Sequence, residues 1–313
     1  MALLAYALRR VGQAVPVALL VTVLIFLLIK LLPGDPAAAI LGERASDSAV
    51  KVLHRQWGLD RPLPVQYAVY LRNLFTGDLG QSFRYRTPVT DLLPRRSAVT
   101  FFLVVYSTLL SVVIAVPLAV VAASHPDRWP DHLVRGLITL PLASPGFWIG
   151  ILLLILFALR LGWFPASGYG EGLGGHLRHL FLPALTLAQP LLAILTRNLR
   201  SALIDVQRTT YVDFARAKGL ARRVVLVHHI LRAALLPIVT LIGVRLSYPI
   251  GGAVVVETVF ALPGLGSWMV ESILARDYMV VQTLTLVFAL GAMLVTLVTD
   301  LVYPLLDPRV RLG

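Results

Sequence analysis

Long apolar runs alternate with polar connecting segments along the whole chain. Six runs rich in Leu, Val, Ile and Ala cover residues 11–32, 98–123, 134–159, 180–196, 238–259 and 281–303. Because a helix of about 20 apolar residues crosses the hydrocarbon core of a bilayer, each run has roughly the length of a transmembrane helix. The first run is longer than the apolar core of a signal peptide, so we interpret it as a retained span. The pattern predicts an all-α polytopic membrane protein with six transmembrane helices.

Prolines are expected to shape three of these runs. Pro141 and Pro145 lie early in the third run and predict a break or bend there. Such a break either serves helix packing or leaves irregular backbone that lines a pathway, and the sequence leaves both interpretations open. In the second run Pro117 predicts a kink, and in the fourth run Pro183 and Pro190 predict an interrupted helix.

The longest polar segment, residues 31–96, follows the first run. Two of its stretches, 46–57 and 66–75, predict short helices, and residues 77–83 predict a turn that leads into a short extended stretch. The segment is too structured for a linker and too small for a separate enzyme domain. We expect it to cover the outer mouth of the membrane bundle as a lid, to contact a second protein, or to do both.

A second polar segment, residues 209–237, contains a short helix with its own start and stop signals. Thr210 is a suitable N-cap, and Asp213 three residues later completes the acidic form of a capping box. Gly219 provides the left-handed residue that ends a helix. These signals predict a two-turn helix over residues 211–218.

The predicted helix has the surface of a docking element. Ala215 and Ala217 add little side-chain bulk, whereas Tyr211, Phe214 and Leu220 supply apolar anchors. A helix of this kind between two membrane spans suits a groove on another protein. The alternative is a solvated loop helix without a partner.

Composition restricts the class of protein. Of the 313 residues, 58% are hydrophobic and 14% are charged, and the mean hydropathy of +0.81 is typical of an integral membrane protein. We interpret the net charge of +12 as a sign of membrane topology and contact with anionic lipid, not of nucleic-acid binding. The chain has no Cys, so disulfides and thiolate metal sites are excluded. None of its lysines follows a Gly, as a P-loop requires, so an ATPase site of that kind is excluded too.

The distribution of basic residues predicts the orientation. Six spans place both termini on the same side of the membrane. Residues 197–236 carry eight Lys and Arg against two Asp, whereas the short loops of the opposite face carry only Arg178 and Arg276, with Arg160 at the end of a span. The positive-inside rule therefore places both termini and the 197–236 segment in the cytoplasm. The long segment after the first span is also basic, but long translocated segments are poor reporters of topology.

The last two apolar runs contain three ionisable residues. Arg245 is near the middle of the fifth run, Glu257 near its outer end and Asp300 near the inner end of the sixth. An ionisable group is unfavourable in lipid, so each should face protein or water. Arg245 could pair with a substrate carboxylate in a central pathway, or with groups inside the bundle. His176 and His179 have the spacing of two metal ligands, but no third ligand accompanies them and no metal site is predicted.

Several strings resemble the permeases of binding-protein-dependent ABC importers, in the oligopeptide, dipeptide and nickel branch. These strings are YVDFARAKGL at 211–220, similar to the EAA loop of that family, and LLPGDP, FWIGILLLILFALRLGWFPASGYG, ETVFALPGLG, RDYMVVQ and LLDPRVR. Asp213 stands where the general motif has Glu, and Phe214 stands where it has its first Ala. The Leu-Leu-Pro at 235–237 comes later than the general family's proline, which is similar to the peptide branch.

The resemblance implies a permease subunit, not an enzyme, in a bacterial inner membrane. It implies a single transmembrane domain over residues 1–313, with an extracytoplasmic insert at 33–97, a permease core at 98–303 and a cytoplasmic EAA-like loop at 197–237. The implied ATPase-coupling helix comprises Tyr211, Asp213, Phe214, Ala215, Arg216, Ala217, Lys218, Gly219 and Leu220. A pathway or gate would involve Arg245, Glu257, Pro263 and Gly264.

The resemblance also implies partners and cargo. A second, different permease would complete the pathway, and two ATP-binding cassette ATPases would hold ATP and Mg²⁺ outside this chain, which itself binds no cofactor. A solute-binding protein would deliver di- or oligopeptides. Nickel chelates and glutathione are alternative cargoes within the family, because specificity there resides largely in the binding protein.

Two other function classes fit the sequence less well. A secondary transporter driven by an ion gradient would show inverted repeats and carboxylates deep in its spans. We find no convincing repeat and few such carboxylates. An intramembrane enzyme would require a catalytic motif, and neither His-Glu-x-x-His nor Gly-x-Ser-x-Gly occurs.

Overall fold

A computed structural model describes residues 2–31, 60–246 and 248–306, together with the isolated positions 48, 51, 52 and 55. In these residues the chain is helical apart from connecting segments and one antiparallel bridge between Gln81 and Pro88. The helices are α1 (Ala2–Leu31), α2 (Leu63–Thr76), α3 (Val89–Ser124), α4 (Trp129–Leu142), α5 (Gly146–Leu153), α6 (Gly172–Gln207), α7 (Thr210–Ala217), α8 (Arg232–Arg245), α9 (Tyr248–Val259), α10 (Leu265–Leu274) and α11 (Tyr278–Leu306). A π-helical stretch, Leu154–Arg160, continues α5, and another, Val225–Leu231, leads into α8.

Four helices in the described part of the chain are long and apolar enough to cross a membrane. They are Leu8–Leu27 within α1, all of α3, all of α6 and Tyr278–Leu301 within α11. The helix pair Trp129–Leu142 and Gly146–Arg160, bent by 107°, is a fifth candidate if it counts as one broken span. The prediction of an all-α polytopic membrane protein is confirmed.

The predicted break in the third run is confirmed, between α4 and α5. Pro141 lies in the last turn of α4, and Pro145 directly precedes α5. Since proline disfavours helical backbone in the residue before it and lacks an amide hydrogen, the chain leaves the axis of α4 here. The bend of 107° redirects the chain almost at a right angle.

The predicted interruption of the fourth run is wrong. The α6 helix continues through both Pro183 and Pro190 and extends well beyond residues 180–196. Packing against neighbouring helices supports the continuous helix. The α3 helix packs along it, and the Ser111 hydroxyl of α3 donates a hydrogen bond to the Ala188 carbonyl (3.1 Å). Tertiary packing of this kind lets membrane helices accommodate proline.

The packing of α3 on α6 depends on small residues. Along α3, Ser107, Ser111, Ala115 and Ala119 recur every fourth position and are all buried. On another side of the same helix, larger residues such as Leu109 are exposed. Because lipid is as apolar as a leucine side chain, membrane helices associate mainly through close van der Waals contact, which small residues permit.

The polar segment after the first run is attached to α1. The predicted helix at 66–75 is confirmed as α2, while the predicted helix at 46–57 lies almost entirely outside the described residues. Tyr67 and Tyr70 of α2 pack on Phe26 of α1, with ring centroids 5.4 and 6.0 Å apart. The Tyr67 hydroxyl is also hydrogen-bonded to Thr22 (2.8 Å).

The α11 helix contacts two other helices through polar groups. Asp300 pairs with Arg10 of α1 at 3.2 Å, so this carboxylate faces protein as expected. Thr299 donates its hydroxyl to the Gly243 carbonyl of α8 at 3.1 Å. The approach is close enough that a Cβ atom on Gly243 would lie 2.6 Å from the Thr299 methyl carbon.

Replacement of Gly243 by Val should separate α8 from α11. The Thr299 side chain cannot rotate away without losing its hydrogen bonds to Gly243 and Val295. Overpacking of this kind destabilises by about 1–3 kcal/mol, which corresponds to a melting temperature lower by roughly 5 °C. Thermal unfolding of the purified protein in detergent measures this change. The control is Gly291→Val on α11, where a Cβ atom meets nothing within 4 Å. Equal melting temperatures for the two variants would contradict the close contact.

Candidate functional site

The helix predicted over residues 211–218 is α7, which begins and ends one residue earlier than predicted. Its inner side is anchored, because Val212 and Ala215 are buried in a cluster with Leu199 and Leu203 of α6. The same cluster contains Ala119 of α3. The helix is therefore part of the packed body of the protein.

The predicted capping box is wrong. Thr209 is the N-cap, and its hydroxyl donates to the Val206 carbonyl (2.6 Å) instead of accepting from α7. Thr210 is the first helical residue, and the Asp213 carboxylate lies 3.5 Å from Arg216. The physical reason is that α6 ends only two residues before Thr209, so its free terminal carbonyls compete for the hydroxyl.

The predicted end of the helix is confirmed. Gly219 has a φ of +75°, the left-handed conformation that glycine adopts without strain. The Leu220 amide donates back to the Ala215 carbonyl (3.4 Å), as at a left-handed helix terminus. This turn directs the chain away from α7 towards residues 222–245.

The outer side of α7 presents an aromatic and apolar surface, which we call the outward face. Phe214 is 63% exposed, Tyr211 is 44% exposed and Leu220 is 41% exposed. Asp213, Arg216, Ala217 and Lys218 are exposed as well. The Lys218 ammonium lies 4.9 Å from the centre of the Phe214 ring, and the Tyr211 hydroxyl donates to the His229 carbonyl (2.7 Å). Exposed aromatic side chains on an anchored helix are the composition of a protein-binding surface.

A second candidate region surrounds the buried carboxylate of Glu257. This side chain is fully buried near the end of α9 and faces the first turn of α10. One carboxylate oxygen accepts hydrogen bonds from the backbone amides of Gly266 (2.7 Å) and Ser267 (3.1 Å). The other accepts from the Thr100 hydroxyl of α3 (2.6 Å), which itself accepts from the Leu265 amide (2.8 Å). Glu257 thus joins α9, α3 and the amide-rich start of α10.

The glycines of the ETVFALPGLG string are required by this arrangement. A Cβ atom on Gly264 would lie 2.3 Å from the Glu257 carboxyl carbon. A Cβ atom on Gly266 would lie 2.4 Å from the backbone of Val254. Pro263 is exposed in the turn between α9 and α10, and Ala261 there has a φ of +47°. The string therefore folds into a tight turn that encloses a carboxylate.

The far end of α10 is attached to the segment that precedes α3. Asp277, also buried, accepts hydrogen bonds from the Ser82 hydroxyl (2.7 Å) and the Arg84 amide (3.4 Å). The first turn of α10 contacts α3 itself, where the Arg96 guanidinium lies over the ring of Trp268, 5.1 Å from its centre. The predicted turn at 77–83 is confirmed, with Gly77 and Gly80 left-handed, and it contributes to holding α10.

Arg245 lies apart from the Glu257 region. It is the last residue of α8, and its guanidinium stacks over the ring of Tyr248, 4.9 Å from the centre. Its Nε is buried and lacks a hydrogen-bond partner among the described residues. Tyr248 is 68% exposed, so this pair lies at the edge of the chain's own packing. A buried guanidinium nitrogen without an acceptor is a position where an anionic group would be stabilised.

The two candidate regions lie far apart on the same scaffold. Thr100 belongs to the Glu257 region and Ala119 to the α7 cluster, and both are on α3. Nineteen residues of helix at about 1.5 Å each place them roughly 28 Å apart. The structure brings Glu257, Pro263 and Gly264 together in one turn, and it leaves Arg245 separate from them.

Some of the polar contacts could not be found from the sequence. Thr100 is a single hydroxyl residue without a surrounding motif, Ser82 appeared only as part of the 77–83 turn, and Asp277 only as part of the RDYMVVQ string. His176 and His179 contact different backbone carbonyls, those of Tyr169 and Gly175.

Comparisons with known proteins show the family of the chain. Residues 115–312 match the family described as "binding-protein-dependent transport system inner membrane component". Residues 3–104 match the N-terminal region described for the membrane component of the same systems.

Individual relatives are similar over nearly their full length. A protein of Brucella abortus named as a peptide transport system permease is 43% identical over 310 residues, which is 98% of this chain and 99% of the relative. The glutathione transport system permease protein GsiC of Pectobacterium atrosepticum is 38% identical, with 99% of both chains covered. GsiC of Salmonella typhimurium is 37% identical over the same coverage.

Replacement of Glu257 by Ala should release the first turn of α10. It leaves the amides of Gly266 and Ser267 buried without an acceptor, which costs about 1–3 kcal/mol for each unsatisfied group. Hydrogen exchange of residues 265–268 should then be at least tenfold faster, since tenfold corresponds to about 1.4 kcal/mol. The matched control is Glu271→Ala on α10, which removes a carboxylate that accepts a hydrogen bond from the Tyr85 hydroxyl (2.9 Å) and none from a backbone amide of the described residues. Unchanged exchange in the Glu257 variant would contradict the capping role.

Proposed function

Because this chain belongs to the family of binding-protein-dependent transport system inner membrane components, we propose that it forms, with a second permease, the translocation pathway for di- or oligopeptides. A solute-binding protein would deliver the peptide to the complex. The names of the relatives include both peptide and glutathione permeases. Glutathione is itself a small peptide with free carboxylates, and it is the second candidate cargo.

The observation that carries this proposal is the outward face of α7. Its exposed aromatic residues are held by a fully packed inner side, so a partner that binds them can move the membrane helices attached to α7. We assign the partner as an ATP-binding cassette ATPase, one of two in the complex. ATP and Mg²⁺ would bind to those subunits, because this chain lacks a P-loop lysine.

The proposed topology has six spans with both termini in the cytoplasm. The helices α8 and α9 together supply the fifth span in chain order, since they cover the fifth apolar run and are separated only by residues 246 and 247. Residues 33–97 then form an extracytoplasmic insert, residues 98–303 the permease core and residues 197–237 the cytoplasmic loop. The protein would lie in a bacterial inner membrane.

In the proposed mechanism α7 acts as a lever. ATP-driven closure of the two ATPases would displace α7, and the rigid α6 would carry this motion into the membrane. Glu257, Pro263 and Gly264 would form an outer gate element. It contacts α3 about 28 Å along the helix from the cluster that holds α7. Binding energy at one end would in this way shift an equilibrium between inward and outward access.

The ATPase interface can be tested by co-purification. The double variant Phe214→Ala, Ala217→Arg removes an exposed ring and adds a charge to the outward face, without a change to the buried Val212 and Ala215. Loss of an interface anchor costs 2 kcal/mol or more, so the amount of co-purified ATPase should fall at least about tenfold. The control is Ser201→Arg, which adds the same charge at an exposed position of α6. Equal recovery of ATPase with both variants would refute docking on this face.

A substrate carboxylate at Arg245 can be tested with paired peptides. We propose that the guanidinium faces the pathway and binds the carboxylate of a passing peptide. Wild-type complex should transport a peptide with a free C-terminus faster than its C-terminal amide, and Arg245→Ala should reduce this preference roughly tenfold, the loss of one charged hydrogen bond. Any preference of the binding protein cancels when the two ratios are compared. The control is Arg160→Ala, at the end of another helix. If Arg245→Ala leaves the ratio unchanged, Arg245 has no such role.

A further inference from the structure

A buried ionic cluster joins α4 to α6 outside the two regions described above. Asp131, in the first turn of α4, is fully buried. Arg200 of α6 binds it with both ends of its guanidinium, through Nε to Oδ1 (2.6 Å) and Nη2 to Oδ2 (2.5 Å). Arg135, one turn further along α4, binds the same carboxylate through Nε (3.2 Å) and Nη2. The Asp127 amide donates a further hydrogen bond (2.9 Å).

The charges of this cluster are balanced. Arg135 also binds the exposed Asp127 carboxylate (2.6 Å), so two arginines face two aspartates. A buried carboxylate is tolerated only when its partners replace the lost hydration, and removal of one partner is strongly unfavourable. The bidentate geometry of Arg200 is also specific, since a lysine cannot reproduce two parallel hydrogen bonds.

The α4 helix packs on α6 and α3 along one side. Its buried residues are Asp131, Val134 and Ile138, which lie on that side, while Trp129, Leu133, Leu137 and Leu140 are exposed. Asp131 is the fully buried charged residue on this side, and it binds α6 through a bidentate ion pair. The bent α4–α5 pair begins at this attachment.

Arg200 belongs to the part of α6 that supports α7. Its neighbours Leu199 and Leu203 are buried in the cluster that holds Val212 and Ala215 of α7. From Arg200 to the end of α6 at Gln207 is about 10 Å. One short piece of α6 thus shares a buried cluster with α7 through its leucines and binds α4 through its arginine.

We infer that Asp131 is a positioning residue that makes the bent α4–α5 pair move together with α7 as one body. The inference rests on the proposed function, in which α7 receives the motion of the ATPases. Asp131 transmits that motion to the third membrane segment through Arg200. We call the Asp131–Arg200 ion pair the joint between α4 and α6. Without this joint, α7 and α6 still move, but α4 does not follow them.

The first test measures coupling in the assembled complex in proteoliposomes. Asp131→Asn should keep ATP hydrolysis within about threefold of wild type but lower the peptide transported per ATP at least about tenfold, because one charge of a buried pair is lost. Arg200→Lys, which keeps the charge and loses the fork, should lower the same ratio by a smaller factor. The control Asp205→Asn neutralises an exposed carboxylate on α6 and should leave the ratio unchanged. An unchanged ratio in the Asp131 variant, or a proportional fall of hydrolysis and transport, would overturn the inference.

A second test needs neither ATP nor cargo and remains decisive if the proposed function fails. The chain has no Cys, so spin labels can be placed uniquely at Leu133→Cys on α4 and Ala217→Cys on α7, both exposed. The distance between the labels should be narrowly distributed in the otherwise native purified chain and after Asp205→Asn. It should broaden after Asp131→Asn. A distribution that stays equally narrow in all three proteins would refute the joint, whatever the cargo of the complex is.

Discussion

The close packing of α3 against α6 is the constraint on which the other contacts depend. Lipid tails are as apolar as the side chains, so no hydrophobic driving force brings two membrane helices together. The helices associate where small residues let their backbones approach closely. Ser107, Ser111, Ala115 and Ala119 supply that surface on α3. The α6 helix is unbroken at its two prolines and ends two residues before the N-cap of α7. Both candidate regions are therefore attached to one rigid helix pair.

Polar groups hold the other parts to this pair. Glu257 connects α9 and α10 to α3, and Asp131 connects α4 to α6. Each carboxylate is fully buried and each accepts several hydrogen bonds, which compensates for its desolvation. They differ in their partners, because Glu257 is bound by backbone amides and a hydroxyl whereas Asp131 is bound mainly by two guanidinium groups. The hydrogen bonds of Glu257 to backbone amides fix a turn, whereas the bidentate ion pair of Asp131 with Arg200 fixes the angle between two helices.

Local signals predicted several elements correctly. Gly219 ends α7 in the left-handed conformation, and Pro145 breaks the third apolar run where expected. Both outcomes depend on backbone geometry that the residue itself restricts. The N-cap of α7 was predicted one residue too late, because the hydroxyl of Thr209 bonds to the end of α6, and the proximity of that helix end is not a local property. The interruption predicted at the prolines of α6 was wrong for a related reason. The packing of α3 and its neighbours supports the helix there, and this packing is not a local property either.

The sequence by itself determined the class of protein, the position of most apolar helices, the short helix α7 with its glycine terminus, and the resemblance to a permease family. These follow from hydropathy, from turn chemistry and from long similar strings, all of which act over a few residues or along the chain. Only the tertiary structure decided that Glu257 binds the amides of α10 together with Thr100, that the Arg245 guanidinium lies over the Tyr248 ring, and that Asp131 binds Arg200. The Asp131–Arg200 and Thr100–Glu257 contacts join residues 69 and 157 positions apart, and their geometry exists only once the helices have packed.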